Sequence, residues 1–286
     1  MDRAARYFRL LGAFSRFCLA NEMAFRGNFV MKVLVEVLWL GILLIFYQTL
    51  FTYTSFVADW DRWQYLFFLG CYYTLEGLIE TLFLENAIDF SDMVRTGNLD
   101  FYLLKPIDEQ FLVSLRKIDF STATKIPLGA AIMAYALHGM GWSFNPADIP
   151  AALAGRGWVF DPGRVAGFVV LFGCGAALAY SFLLMLASLS VWLVRNENLM
   201  EWWWLFTTLM RYPRENYKGG WSHYPIYIGC WYVIPVLLVV NVPAEAMVRI
   251  LNPWNVALLV GASAVMLWVS RRFFFRALRS YGSASS

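Results

Sequence analysis

The chain has 286 residues, a formal net charge of +3 and a mean hydropathy of +0.54; 60% of its residues are hydrophobic, 18% aromatic and only 15% charged. A soluble domain carries about 25% charged residues, so a chain this apolar would coat a soluble surface with sticky patches, and it reads as an integral membrane protein. The small net charge gives no support for a nucleic-acid partner. The scattered cysteines (Cys18, Cys71, Cys174, Cys230) form neither a CxxC pair nor a zinc spacing, and they read as small core residues.

Residues 1–28 read as an amphipathic helix. Arg6, Arg9 and Arg16 follow one stripe, and Tyr7, Leu11, Phe14 and Cys18 follow another at helical spacing. Basic on one side and aromatic on the other suits a headgroup interface; a helix packed on a partner protein is the alternative, and the two are not exclusive. There is no uninterrupted apolar core or small-residue cleavage site of the kind that marks a signal peptide.

A membrane-crossing helix needs about 20 mostly apolar residues. Six runs qualify: Phe29–Thr52, Trp63–Leu84, Phe120–Trp142, Val165–Val194, Ile226–Val242 and Trp254–Phe275. The expected fold is all-α, one polytopic domain over 29–275 with a tail at 276–286. The fifth run contains Pro235, which removes a helical hydrogen bond and predicts a kink. With the N-terminus inside, nineteen of the 23 Lys and Arg residues fall on the inner side. That asymmetry places both termini in the cytoplasm, and the membrane is expected to be a plasma or inner membrane of bacterial type.

Two further stretches read as interfacial. Residues 196–213 carry Trp202, Trp203 and Trp204, rings that suit the headgroup layer. Residues 242–253 are short, semi-apolar and bracketed by prolines; they read as a re-entrant helix or a surface loop.

The loop 85–119 is long and mixed in charge. A helix over 88–94 closed by Gly97 in a left-handed cap, then Leu99, Tyr102, Leu103 and Leu104, then Pro106, gives apolar side chains on a polar base. Such a surface suits docking of another protein.

Two motifs carry a resemblance. Arg95-Thr96-Gly97-Asn98-Leu99-Asp100, then Leu103-Leu104-Lys105-Pro106, resembles the R-T-G-x-L-D-x-x-L-L-x-P signature of the ABC-2-type permeases, in the six-span branch paired with a daunorubicin-exporter-like ATPase. Arg211-Tyr212-Pro213, Pro225-Ile226-Tyr227, Ile234-Pro235 and Asn241-Val242-Pro243 resemble that branch's second run, with residues between Pro213 and Pro225 reading as an insertion. The resemblance implies an exporter of amphipathic or lipid-like cargo. Two permeases, identical or paralogous, would work with two copies of a cytoplasmic ABC ATPase amid membrane lipid. It also implies that Arg95, Gly97, Leu99, Asp100, Leu104 and Pro106 lie on or just behind the ATPase contact; the alternative is that they only fold the loop under the membrane. The chain has no G-x-x-x-x-G-K-[ST] phosphate loop, so no cofactor is expected on it. ATP and magnesium would belong to the partner, and the chain itself is not expected to be an enzyme.

Glu76 and Glu80 lie one turn apart inside the second run. A charge at such depth costs on the order of 2.5–3.5 kcal/mol, so both should face protein or water. They are candidates for a translocation path or a proton-sensitive site; the alternative is a buried pair with Lys32 or with a base on a neighbouring subunit, while Glu36 is expected to be neutralised by the same Lys32 one turn away. The small residues Gly167, Gly173, Gly175, Ala177, Ser181 and Ser188 of the fourth run read as packing surface within the subunit, with a substrate groove as the alternative. An ion-coupled carrier or scaffold using Glu76 and Glu80 is a second reading of the chain. A membrane-embedded lipid-modifying enzyme is a third, with no HxxxD pair to support it.

Overall fold

The computed structural model describes residues 3–143, 158–159, 161–193, 199–218, 224–249 and 252–282. Expectations that fall on 1–2, 194–198, the 219–223 part of the insertion, 250–251 and 283–286 lie outside the described residues.

Apolar runs wind as helices because lipid offers the backbone no other hydrogen-bond partner. In chain order these are α1 (Arg3–Ala24), α2 (Arg26–Tyr53), α3 (Arg62–Ile79), α4 (Glu85–Thr96), α5 (Asp100–Leu103), α6 (Glu109–Leu115), α7 (Lys125–Gly139), α8 (Pro162–Leu189), α9 (Leu199–Met210), α10 (Tyr224–Ile228), α11 (Leu238–Val248) and α12 (Pro253–Ser280). The only extended pairings among the described residues are two-residue ladders. One is antiparallel, between β1 (Phe56–Val57) and β2 (Trp60–Asp61); the other is parallel, between β3 (Trp142–Ser143) and β4 (Trp158–Val159). The protein is therefore an all-α polytopic membrane protein.

Four helices among the described residues are long and apolar enough to cross a bilayer, and five if a bent pair counts as one. The six runs expected from sequence differ from the described helices at three places. The second run does not end at Leu84: a π-helical turn at Glu80–Leu84 joins α3 to α4, giving one helix of 35 residues from Arg62 to Thr96. The third run, expected over Phe120–Trp142, forms only the 15 residues of α7, behind a 3₁₀ turn at Thr122–Thr124. At ~1.5 Å per residue that is shorter than the ~30 Å hydrocarbon core. The fifth run breaks at the proline that predicts its kink, and more sharply than a kink. Pro225–Val233 and Leu238–Val248 meet at 84°, the geometry of a broken span or a re-entrant loop. Ile234, held extended before Pro235 (φ −113°, ψ 86°), ends the first limb because a residue before proline is pushed out of the helical region. The second limb absorbs residues 242–248, and every residue of α11 is buried.

The core is built on α3. Its residues Phe67–Gly77 are buried without a break, and α7, α8 and α11 pack around it. The approach to α7 is close because glycines meet: a Cβ on Gly70 would lie 2.8 Å from the Gly129 carbonyl oxygen. Small residues let backbones approach in this way. In α8, a side chain on Gly175 would strike the Val239 carbonyl of α11, while Ser181 and Ser188 bond back to Ala177 and Leu184. Gly167 and Gly173 face open space. The outlier is α2, which buries only Leu40 and Tyr47.

The tryptophan stretch divides by helical phase. Trp203 is fully buried and stacks on Phe206, whereas Trp202 and Trp204 are exposed. The expectation that all three rings sit at an interface therefore fails for Trp203, which faces the core.

Candidate functional site

Two constellations stand out. The first is a cluster of charges inside the helix body. Lys125, the first residue of α7, is 5% exposed, Glu76 4% and Glu80 5%. The Lys125 Nζ lies 2.6 Å from Glu80 Oε2, 3.3 Å from Glu36 Oε2 and 3.7 Å from Glu76 Oε2. Glu76 also accepts a 2.6 Å hydrogen bond from Tyr72, and Tyr72 Oη receives the guanidinium of Arg211 at 3.3–3.4 Å. The Tyr73 hydroxyl donates to the Glu36 carbonyl at 2.9 Å. Three carboxylates from α2, α3 and the π-turn thus converge on one ammonium. Buried charge is tolerated only where paired and hydrogen-bonded.

The sequence expectation of a pair with Lys32 is corrected here. Lys32 binds Asp119 at 3.4 Å instead, and the base is Lys125. Lys125 read as an orientation charge at the edge of an apolar run. Nothing local distinguishes it, because its position is set by α3 and α7 meeting at Gly77, where a Cβ would strike Lys125 Cβ.

The second constellation is the elbow 85–119. α4 runs straight on from the core helix and stops at Gly97, whose φ of 74° only glycine adopts freely. The Gly97 and Leu99 amides turn back onto Val94 and Met93 carbonyls at 3.4 and 3.2 Å. Leu99 is fully buried, so it does not join the exposed surface expected of it. Tyr102 and Leu103 are half-buried. Phe101 and Leu104 are the exposed pair, at 69% and 82%. Arg95 and Pro106 are exposed as well, Arg95 in an ion pair with Asp92 at 3.1 Å. Asp100 is half-buried and stands beside Tyr281, whose hydroxyl burial and the Asp100 charge hold above its ordinary pKa. Of the six residues, then, Arg95, Leu104 and Pro106 are outward, while Gly97, Leu99 and Asp100 shape the elbow from within.

The elbow is strapped to the body from several sides. Arg116 pairs with Asp89 at 2.6 Å and lies over the Tyr102 ring at 4.7 Å. Asn86 holds both the N–H and the carbonyl of Lys117, at 2.8 and 2.7 Å. Asp108 caps α6 through the Phe111 amide, and Arg271 of α12 reaches Asp108 at 3.2 Å and Gln110 at 2.8 Å. The apolar stripe of α1 lies on the same elbow: the Tyr7 ring meets Phe111 at 4.7 Å, and the Tyr7 hydroxyl accepts the Asp108 N–H. Tyr7, Leu11, Phe14 and Cys18 are half-buried, while Arg6, Arg9 and Arg16 stay exposed.

The second motif closes on itself as well. Asn241 accepts the Arg214 amide at 2.9 Å. Arg214 then binds Glu245 at 3.1 Å and Glu215 at 2.9 Å, and covers the Trp231 ring. Arg214 and Glu245, which the sequence did not single out, are the charges that join the chain after α9 to the second limb of the bent pair. A model of the ABC-2 family transporter proteins matches residues 37–285. The chain belongs to that family. No curated protein and no solved structure gave a match. Membership makes this a membrane transport component, and both motif regions lie inside the matched residues.

Proposed function

We propose that this ABC-2 family protein is the permease subunit of an ATP-driven transporter, with nucleotide hydrolysis on a separate ATPase seated against the 85–119 elbow. The observation that carries this reading is a rigid lever with an unpartnered tip. Phe101 and Leu104 are exposed on a segment that is strapped to the body on both sides and is continuous with the most buried of the four long apolar helices among the described residues. A force applied at that tip has no slack to take up before it reaches α3, and through Arg271 and Tyr7 it reaches α12 and α1 as well. The assembly would hold two permeases, identical or paralogous, and two ATPases, with both termini and the elbow in the cytoplasm. The exposed aromatic and aliphatic surface suits export of an amphipathic or lipid-like cargo. In this reading Glu76 and Glu80 act as a brace with Lys125 that keeps α2, α3 and α7 in register.

The test is co-purification. A tagged chain drawn from native membranes should bring an ABC ATPase with it. Leu104→Ser with Asp100→Asn should uncouple ATP hydrolysis from transport while the permease stays folded. A chain that never associates with an ATPase, or a variant that couples as wild type does, would contradict the proposal. Glu80→Gln separates the remaining reading: altered cargo handling with ATPase binding intact would favour a translocation path over a brace.

A further inference from the structure

α2 meets α3 and α7 at Glu36, which Tyr73 and Lys125 hold, and meets α3 again at Tyr47, and beside these contacts the three helices leave a groove of about 410 Å³. Its walls are apolar: leucines and Ile132 from all three helices, with the rings of Phe51 and Tyr135 beside them. The groove is built rather than incidental. Tyr47 and Tyr65 bridge it with hydroxyls 3.2 Å apart and rings 4.7 Å apart, and both side chains are buried.

At the end nearest the α2–α3 hairpin the lining turns polar, with Gln48 and Arg62, both exposed. Arg62 lies over the ring of Trp63 at 5.4 Å, and no carboxylate among the described residues pairs with it. Its neighbour at this face, Arg249, is taken up by the Trp60 ring and the Asp59 carbonyl. Arg62 is therefore a cation with no acid, placed at the mouth of an apolar slot. From Arg62 to Leu69 the slot runs seven residues of helix, about 10 Å at 1.5 Å each. That approaches one leaflet's share of the ~30 Å hydrocarbon core.

We infer that the groove holds one acyl chain of a phospholipid from the leaflet at the hairpin face, with the headgroup phosphate on Arg62 and Gln48. The charge and the depth select this occupant. A second copy of the chain would have to bring a carboxylate to Arg62, and the apolar row it would bury (Leu34, Leu38, Ile42 and Ile45) is exposed outside the groove. The inference does not depend on the cargo or on the ATPase.

The full-length chain, purified in mild detergent and stripped of lipid, should be offered dioleoyl phosphatidylglycerol or dioleoylglycerol, and bound lipid counted by native mass spectrometry. Wild type should retain one phosphatidylglycerol, and the phosphate-free lipid at least about tenfold less, as a charge-assisted hydrogen bond requires. Arg62→Ala should lose phosphatidylglycerol by a similar factor without changing dioleoylglycerol retention. Ala131→Trp, which fills the groove from α7, should release both lipids, with a thermal midpoint like that of wild type as the folding control. Equal retention of the two lipids, an Arg62→Ala protein that binds as wild type does, or a lipid-free dimer that Ala131→Trp dissociates would each overturn the inference.

Discussion

Lys125 Nζ stands 2.6 Å from Glu80 Oε2, so the first residue of α7 is bonded to the first residue of the π-turn in the long core helix. One ammonium faces three carboxylates, and this imbalance sets what substitution does. Removing one acid relieves repulsion; removing the base strands two buried acids, Glu76 and Glu80, and the half-buried Glu36. Taking away one partner of a buried pair costs about 3–5 kcal/mol. Lys125→Met is therefore expected to collapse the yield of folded protein or lower the thermal midpoint strongly. Glu80→Gln, which keeps a hydrogen-bond acceptor beside Lys125, should be much milder. Adding Glu80→Gln to Lys125→Met should recover part of the loss, measured as unfolding midpoints in detergent. A Lys125→Met protein as stable as wild type would mean that the cluster does not hold the helices together.

Gly97 gives a second prediction. Its φ of 74° lies in the left-handed region, where a residue with a Cβ pays about 1–2 kcal/mol. Asn and Asp tolerate that region better than β-branched residues do. Gly97→Val should loosen the elbow, and Gly97→Asn should nearly preserve it. Limited proteolysis between residues 95 and 105 reads this directly: faster cleavage is expected for valine and near-wild-type cleavage for asparagine. Equal rates in all three proteins would show that the cap does not govern the elbow.

These two sites differ in how far the sequence could reveal them. Gly97 was legible because a helix stop with a left-handed cap is a local event, decided within a few residues. The membrane class and the helical runs were legible for the same reason. Lys125 was not, because its role arises only when Gly70 and Gly129 let α3 and α7 approach, and no spacing along the chain encodes that meeting. Pro235 announced a break but not its 84° direction, which is set by the packing of α11 among α3 and α8. The three consecutive tryptophans looked alike in sequence. A step of about 100° per residue sends Trp203 inward and its neighbours outward. The elbow's leucines were read as one exposed group, although the fold separates them.

Arg214 and Glu245 provide a third prediction. Glu245 is 3% exposed, and Arg214 is its cation at 3.1 Å. Arg214→Met should destabilise by up to about 3–5 kcal/mol because it takes the ion-paired cation from a buried carboxylate, which keeps only the Asn255 hydrogen bond and the field of Arg249. Glu245→Leu alone should cost less, since Arg214 keeps Glu215. The double variant should be more stable than Arg214→Met alone, as burying two apolar groups of similar size is often neutral. Additive losses in this double-mutant cycle would show that the two side chains do not interact.

The elbow's two leucines separate folding from docking. Leu99 and Leu104 are five residues apart, yet one is fully buried and the other is 82% exposed. Leu99 packs inside, beside the Met93 carbonyl that its amide holds. Truncating a buried leucine to alanine removes its contacts and leaves a cavity, at about 2–5 kcal/mol. Leu99→Ala should therefore lower the thermal midpoint by several degrees in the isolated chain. Leu104→Ser should leave that midpoint unchanged, because a lone exposed side chain contributes within about 0.5 kcal/mol. If Leu104 belongs to the ATPase contact, the same substitution should weaken capture of the ATPase from native membranes. Leu99→Ala should weaken it only as far as it unfolds the elbow. A Leu104→Ser chain that captures the ATPase normally would move the contact to Phe101 or elsewhere on the elbow. A Leu104→Ser chain that unfolds would show that this side chain is packed against something within the molecule itself.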